Sequence, residues 1–279
     1  MLSLITTGRN DDYGGGFVDR FRLSLMNNCS LLEDLGIEYE YLVVEWNPIK
    51  EFFSVSDKTK FLFKNFKVKD VIIDKSLIRA EGLNEAAYYE YFSKNAGLRR
   101  AKYDNILIIN SDLLINEELG NEIKELITKG LDKTKFYRAR YRHNANIKYD
   151  GKEPIGMSVV DKKDLHEPHL ADACICGAYS GDILLCNKET LFENGRGYNE
   201  LDPDHRVTFQ TGMDGEILWN MYHRGIRLEF LQNPYIHIAH GKPNVYDGVY
   251  RDCKYENKPN WGFVDYNETE IPHGVILHV

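Results

Sequence analysis

Residues 105–112 read NILIINSD. Ile106 to Ile109 are apolar without interruption. A strand with one wet face would alternate polar and apolar residues. A nearly continuous run is what a strand covered on both faces of a parallel sheet shows. Asn110, Ser111 and Asp112 end the run. Residues of this kind commonly close a strand and start a turn. They also fall at the carboxyl end of the strand, the edge where open α/β sheets bind ligands. A carboxylate there, with an amide two residues earlier, is able to hold a hard divalent cation by oxygen.

Working outward, the pattern predicts a strand at Leu2–Thr7 and a loop of Asp and Gly at Gly8–Gly16. A helix over Phe17–Leu35 has apolar residues at helical spacing, and Gly36 is a natural stop. Strands at Tyr39–Trp46 and Val71–Asp74 follow, then helices at Asn84–Tyr103 and Glu117–Lys129 on either side of the 105–110 run. This β-α-β-β-α-β-α order predicts an open α/β sheet. Beyond Leu131 the texture changes. Short strands are expected at 136–142, 155–160 and 182–186, a helix at 212–224, and strands at 227–231 and 235–239. From Gly241 the chain reads as an extended tail.

The 279 residues carry 35 Lys and Arg against 43 Asp and Glu, a formal net charge of −8. That disfavours a nucleic-acid partner and a polybasic membrane-surface role. No segment approaches the ~18 uninterrupted apolar residues of a membrane span. The N-terminus reads as a strand, not as a signal peptide. The five cysteines, Cys29, Cys174, Cys176, Cys186 and Cys253, are irregularly spaced, as expected of reduced thiols in a cytoplasmic protein. Cys174 and Cys176 read as two side chains near a strand rather than as a metal or redox pair. An acidic chain that handled a phosphorylated ligand would need a local cation, which a bound metal supplies.

The block Lys94-Asn95-Ala96-Gly97-Leu98-Arg99-Arg100-Ala101, followed by Ile106 to Asp112, resembles the central block of family 2-type glycosyltransferases of the GT-A fold. Those enzymes carry an Asn-x-Gly stretch on a helix, then an apolar strand ending in Asp-x-Asp. The layout is similar over roughly residues 2–240. The resemblance implies an open mixed sheet flanked by helices, in one catalytic domain. Residues 1–115 would form its nucleotide-sugar half, 116–241 its acceptor half, and 242–279 the extended tail. It implies that Asp112 binds Mn²⁺ or Mg²⁺ on the donor diphosphate. Asn110 stands where the family has the first Asp, which leaves one charged ligand. Thr6, Thr7, Arg9, Glu45 and Asn95 match positions near the donor.

Asp11 to Gly16 fits neither phosphate-loop pattern, and reads equally as a free turn or as a cover over a ligand. In the helix 212–224, Met213, Ile217, Leu218, Met221 and Tyr222 form an apolar half with Asp214 near its middle, and Glu216 falls on the far, polar side. Thr211 and Asp214 also read as a capping box. The resemblance makes Asp214 the general base. His237 and His240, three apart, point to opposite faces of a regular strand and would share an ion only if the strand ended between them. By resemblance a late histidine adds a metal ligand, with His240 preferred and His237 second.

The expectation is therefore an enzyme moving a sugar from a nucleotide-diphosphate donor to a hydroxyl of a glycan or other acceptor, with inversion. A sugar-phosphate nucleotidyltransferase is the first alternative. It would carry basic residues after the first strand, whereas Arg9 is the one basic residue among positions 1–19. A non-catalytic carbohydrate-binding relative is the second.

Overall fold

The computed structural model describes residues 1–11, 14–49, 65–85, 88–150, 153–164, 183–194, 196–200, 213–240 and 256–279. In chain order the elements are β1 (Leu2–Gly8), α1 (Phe17–Asp34), β2 (Tyr39–Trp46), β3 (Val68–Ile73), α2 (Lys75–Ala80), α3 (Glu90–Arg100), β4 (Asn105–Ile109), β5 (Leu113–Ile115), α4 (Glu117–Lys129) and β6 (Lys135–Ala139). They continue as β7 (Tyr141–Asp150), β8 (Glu153–Asp164), β9 (Ile183–Asn187), α5 (Lys188–Glu193), α6 (Met213–His223), β10 (Arg227–Leu231), β11 (Tyr235–Ile238), β12 (Asn267–Ile271) and β13 (Gly274–His278).

Nine strands form one mixed sheet in the order β10-β6-β9-β4-β1-β2-β3-β13-β12. Its centre, β4-β1-β2-β3, is parallel. The apolar run is buried on both faces, as its composition demands. Ile106 and Ile108 enter one core, while Leu107 and Ile109 enter the other. The strand thus divides the two hydrophobic layers, with side chains alternating between them.

The Asn-x-Gly stretch of α3 has a packing cause. A Cβ on Gly97 would lie 2.7 Å from a methyl of Ile5 and 2.9 Å from one of Val44. Glycine there lets the helix backbone sit directly on β1 and β2. The helix starts at Glu90, six residues later than the pattern predicts. The preceding tyrosines dock into the fold instead. Tyr89 packs on Trp46 at 5.5 Å, and the Tyr88 hydroxyl donates to Thr7 Oγ1 at 2.7 Å.

A second sheet of four strands has the order β5-β11-β7-β8. The expected strand 136–142 is two strands in two sheets. The chain leaves the large sheet at Arg140, whose N–H bonds the carbonyl of Leu231, and enters the small one at Tyr141. The short β5 pairs with β11 on one side. On its other side, α1 supplies polar side chains in place of a strand. Asn28 Nδ2 donates to the carbonyl of Leu113 at 2.9 Å, and its Oδ1 accepts the N–H of Ile115 at 2.8 Å. Ser24 Oγ also donates to Leu113, and Asn27 Nδ2 donates to the carbonyl of Ile115 at 2.9 Å. The Asn28 amide thus copies the donor and acceptor of a neighbouring backbone.

The expected extended tail is a correction, because its described part is built into the fold. The hairpin β12–β13 extends the large sheet, with β13 parallel to β3. Residues 257–263 lie along α3. Arg99 covers the Trp261 ring at 4.0 Å, and Arg100 donates to the Gly262 carbonyl at 2.9 Å. The composition of the segment concealed this, since many of its contacts use backbone carbonyls that any residue type provides. Cys29 and Cys186 are free and buried, and no helix among the described residues is long and apolar enough to cross a membrane. The Cys174 and Cys176 pair lies outside the described residues, as does Cys253.

Replacing Asn28 by Ala leaves a buried carbonyl and a buried N–H of β5 without this partner. Unpaired buried polar groups cost about 1–3 kcal/mol each. Chemical denaturation of Asn28→Ala should therefore show a loss of about 2–4 kcal/mol. Replacing the exposed Asn121, whose bond is to its own helix, should cost under about 1 kcal/mol.

Candidate functional site

Asp112 follows the buried strand β4 and directly precedes β5. The antiparallel register pairs Leu113 with His237 and Leu114 with Ile236. The N–H of Ile238 bonds the Asp112 carbonyl at 2.9 Å, extending that ladder by one step. β11 then ends at Ile238, between the two histidines. The end of the strand removes the objection that His237 and His240 face opposite ways. His240 Nε2 lies 2.9 Å and His237 Nε2 3.7 Å from Asp112 Oδ2. One ligating atom from each residue falls within 4.8 Å of the others.

This is the one such three-residue cluster among the described residues. All three side chains are largely buried, at 9–14% exposure. Burial alone would raise the Asp112 carboxyl. The contact with His240 and the charges of His237, His240 and Arg20 outweigh burial and hold it below its ordinary value. A carboxylate depressed on folding contributes stability above the unfolded pKa, about 3.9. That contribution is lost as pH falls through the lower folded value.

One carboxylate oxygen and two imidazole nitrogens form a donor set that fits a divalent transition ion. Mg²⁺ and Ca²⁺ take oxygen ligands, while imidazole suits transition ions better, increasingly so from Mn²⁺ toward the later ions. His240 was the preferred histidine of the sequence reading, and the structure adds His237 to it.

The other expected donor positions divide. Thr6, Thr7 and Arg9 lie at and just beyond the carboxyl end of β1, and Glu45 lies beside them on β2, in register with Gly8. Thr6 and Glu45 are fully buried. Asn110 precedes the cluster on the β4 side. These residues share the sheet edge that carries Asp112.

Asn95 does not join them, which corrects the sequence reading. Its Nδ2 donates to the Tyr198 carbonyl and to Glu200 Oε1, each at 2.8 Å, and its Oδ1 accepts the Tyr198 N–H at 2.7 Å. The amide holds the turn 196–200 instead of a ligand. The turn needs glycine at 197, where φ is 81° and a Cβ would lie 2.4 Å from Asn95 Oδ1. Tyr198 is buried, its ring 5.5 Å from that of Tyr91.

Helix α6 also revises an expectation. Glu216, placed on the polar side by the helical wheel, is 1% exposed and accepts a bond from Asn199 Nδ2 at 3.1 Å. Tyr222, placed on the apolar side, is 47% exposed. The buried arc runs through Glu216, Ile217, Leu218, Asn220 and Met221. The wheel failed because polar partners, Asn199 for Glu216 and the Asn194 carbonyl for Asn220 at 3.3 Å, let polar residues take inward positions. Asp214 lies in the first turn of this helix, and its side chain is outside the described residues. The loop Asp11–Gly16 places Gly14, Gly15 and Gly16 at positive φ. A run of three such residues gives that stretch of the loop a physical reason to be all glycine.

No family model matches the chain, and no curated protein matches it in sequence. Solved structures share its fold. Staphylococcus aureus TarS aligns over 85% of this chain and 36% of its own, with a TM-score of 0.53 at 15% identity. GalNAc-T7, solved with UDP, GalNAc and Mn²⁺, aligns over 90% of this chain and 46% of its own, with a TM-score of 0.53 at 13% identity. This chain therefore spans between about a third and a half of those proteins. The mixed nine-stranded sheet with its flanking helices is a GT-A-type glycosyltransferase fold.

If the cluster is a cation site, His237→Ala and His240→Ala should each weaken Mn²⁺ uptake by about tenfold or more. Loss of even an outer partner of a metal ligand has that effect. Uptake by the unaltered protein should weaken in acid, because protons compete with the ion for its ligands. Equilibrium titration followed by the Mn²⁺ electron paramagnetic resonance signal reads both.

Proposed function

We propose that the chain is a metal-dependent glycosyltransferase that moves a sugar from a nucleotide-diphosphate donor to an acceptor hydroxyl. The observation that carries this reading is the Asp112, His237 and His240 cluster at the carboxyl edge of a GT-A sheet. GalNAc-T7, of the same fold, was solved with a nucleoside diphosphate and Mn²⁺.

Asp112, His237 and His240 would hold the cation, Mn²⁺ or Mg²⁺, with the two nitrogen donors counting against Mg²⁺. The cation, when bound, supplies the positive charge that stabilises a departing diphosphate. Thr7, Arg9 and Asn110 sit where they would line the donor beside that cluster, with the fully buried Thr6 and Glu45 supporting the same edge. The sheet edge holds donor and acceptor in one place, which removes much of the entropic barrier to their reaction.

Asp214 is our choice for the base that takes the acceptor proton. It opens α6, where the positive end of the helix favours the ionised form a base needs. Glu216 is the other carboxylate nearby, and its bond to Asn199 assigns it to holding the 196–200 turn. With Asp214 as base on the acceptor side, transfer is a single displacement with inversion. The products would serve glycan or polysaccharide assembly.

Incubating the protein with Mn²⁺ and a panel of nucleotide-sugars tests the reaction class. Release of nucleoside diphosphate from one donor supports transfer. Release of pyrophosphate would indicate a nucleotidyltransferase, and silence across donors a non-catalytic relative. Asp214→Asn should reduce transfer about 10²- to 10⁴-fold, the usual contribution of a general base, while donor and Mn²⁺ binding stay within about twofold. Transfer at near the original rate would remove Asp214 from the role.

A further inference from the structure

Three buried polar residues of α1, Arg20, Ser24 and Asn28, stand at i, i+4 and i+8. They therefore form one stripe along the helix. The work of two is described above. Asn28 holds Leu113 and Ile115, and Ser24 holds Leu113. Along the stripe toward the helix N-terminus, the contacts move from Ile115 to Leu113. One turn further lies Arg20, at the end of β5 that carries Asp112.

Arg20 is 3% exposed, an unusual fate for a guanidinium. It donates through Nη1 to the carbonyl of Gly15, so it also touches the glycine loop. Its charge acts on the carboxylate of Asp112. Arg20 lies one position beyond the segment 1–19, in which Arg9 is the one basic residue.

The charges here have a consequence for what binds. Asp112 brings one negative charge and Arg20 one fixed positive charge, so with neutral imidazoles the group sums to zero. A divalent cation alone would leave the pocket strongly positive in a poorly screened place. A cation that arrives with a nucleoside diphosphate would not. We infer that Arg20 is a positioning residue that makes the Asp112, His237 and His240 cluster prefer a metal–diphosphate complex to a bare metal ion. It does so by its charge and by anchoring the glycine loop through Gly15. This inference builds on the transferase reading of the same site.

The difference between its effects on the bare ion and on the diphosphate complex allows a direct test. Mn²⁺ affinity is measured by electron paramagnetic resonance for the unaltered protein, Arg20→Met and Arg20→Lys, with and without uridine or guanosine diphosphate. Thermal unfolding is followed alongside. For Arg20→Met the bare ion should bind equally or a few-fold more tightly. The nucleoside diphosphate with Mn²⁺ should bind about tenfold more weakly, in line with loss of a charge-assisted contact region. Arg20→Lys, which keeps the charge, should recover most of the diphosphate affinity. Parallel weakening of bare and complexed Mn²⁺ in both variants would assign Arg20 a merely structural role and overturn the inference. Diphosphate binding unchanged in Arg20→Met would overturn it too, with the transferase reading intact. An unaltered protein that takes up Mn²⁺ but neither diphosphate would overturn the transferase reading, and this inference with it.

Discussion

The pairing of β5 with β11 is the constraint on which the site depends. Three residues of β5 place Leu113 opposite His237, and everything at the cluster follows from that register. A slip of one residue would turn every side chain of the strand to the other face. So short a strand is poorly fixed by its own ladder. The fold supplies a second edge from a helix, through the amides of Asn27 and Asn28 and the hydroxyl of Ser24. Buried polar residues on α1 thus look costly in isolation and become necessary once β5 is in place. Each satisfies a backbone group that would otherwise be stranded in the core.

The same logic organises the other half of the molecule. Asn95, Glu200 and Asn257 tie the 196–200 turn to α3 and to the C-terminal segment. Glu216 and Asn199 connect that turn to α6. Polar groups buried in pairs fix one arrangement of loops, because any other leaves them unsatisfied. Helix α6 is in this way held by polar pairs with its neighbours as well as by its buried Ile217, Leu218 and Met221.

Much of the parallel half was legible in the sequence. Tyr39–Trp46 and Glu117–Lys129 were read with the observed bounds, since period and caps are local properties. Asn116 caps α4 through its side chain, and Gly130 follows the last helical residue. The place of Asp112 just beyond β4 was legible because a nearly continuous apolar run reads as a buried strand, while its role as a metal ligand came from the family resemblance. What was not legible came from distance. β5 has too few residues to show a period. The break at Arg140 depends on which of two sheets takes the next strand. Glu216 and Asn95 were misjudged because their partners, Asn199 and the backbone of Tyr198, belong to a turn with no regular pattern. His237 was weighed against a strand that continued, and the strand stops at Ile238.

On the reading proposed here, β5 and β11 together build a cation site on a GT-A sheet. Diffraction from crystals grown with Mn²⁺ and a nucleoside diphosphate, recorded at the manganese edge, would test it most directly. One anomalous peak bonded to Asp112, His237 and His240 is expected, with the diphosphate beside it. A peak bonded to other residues, or Asp112 and the histidines bonded to one another with the ion elsewhere, would contradict it.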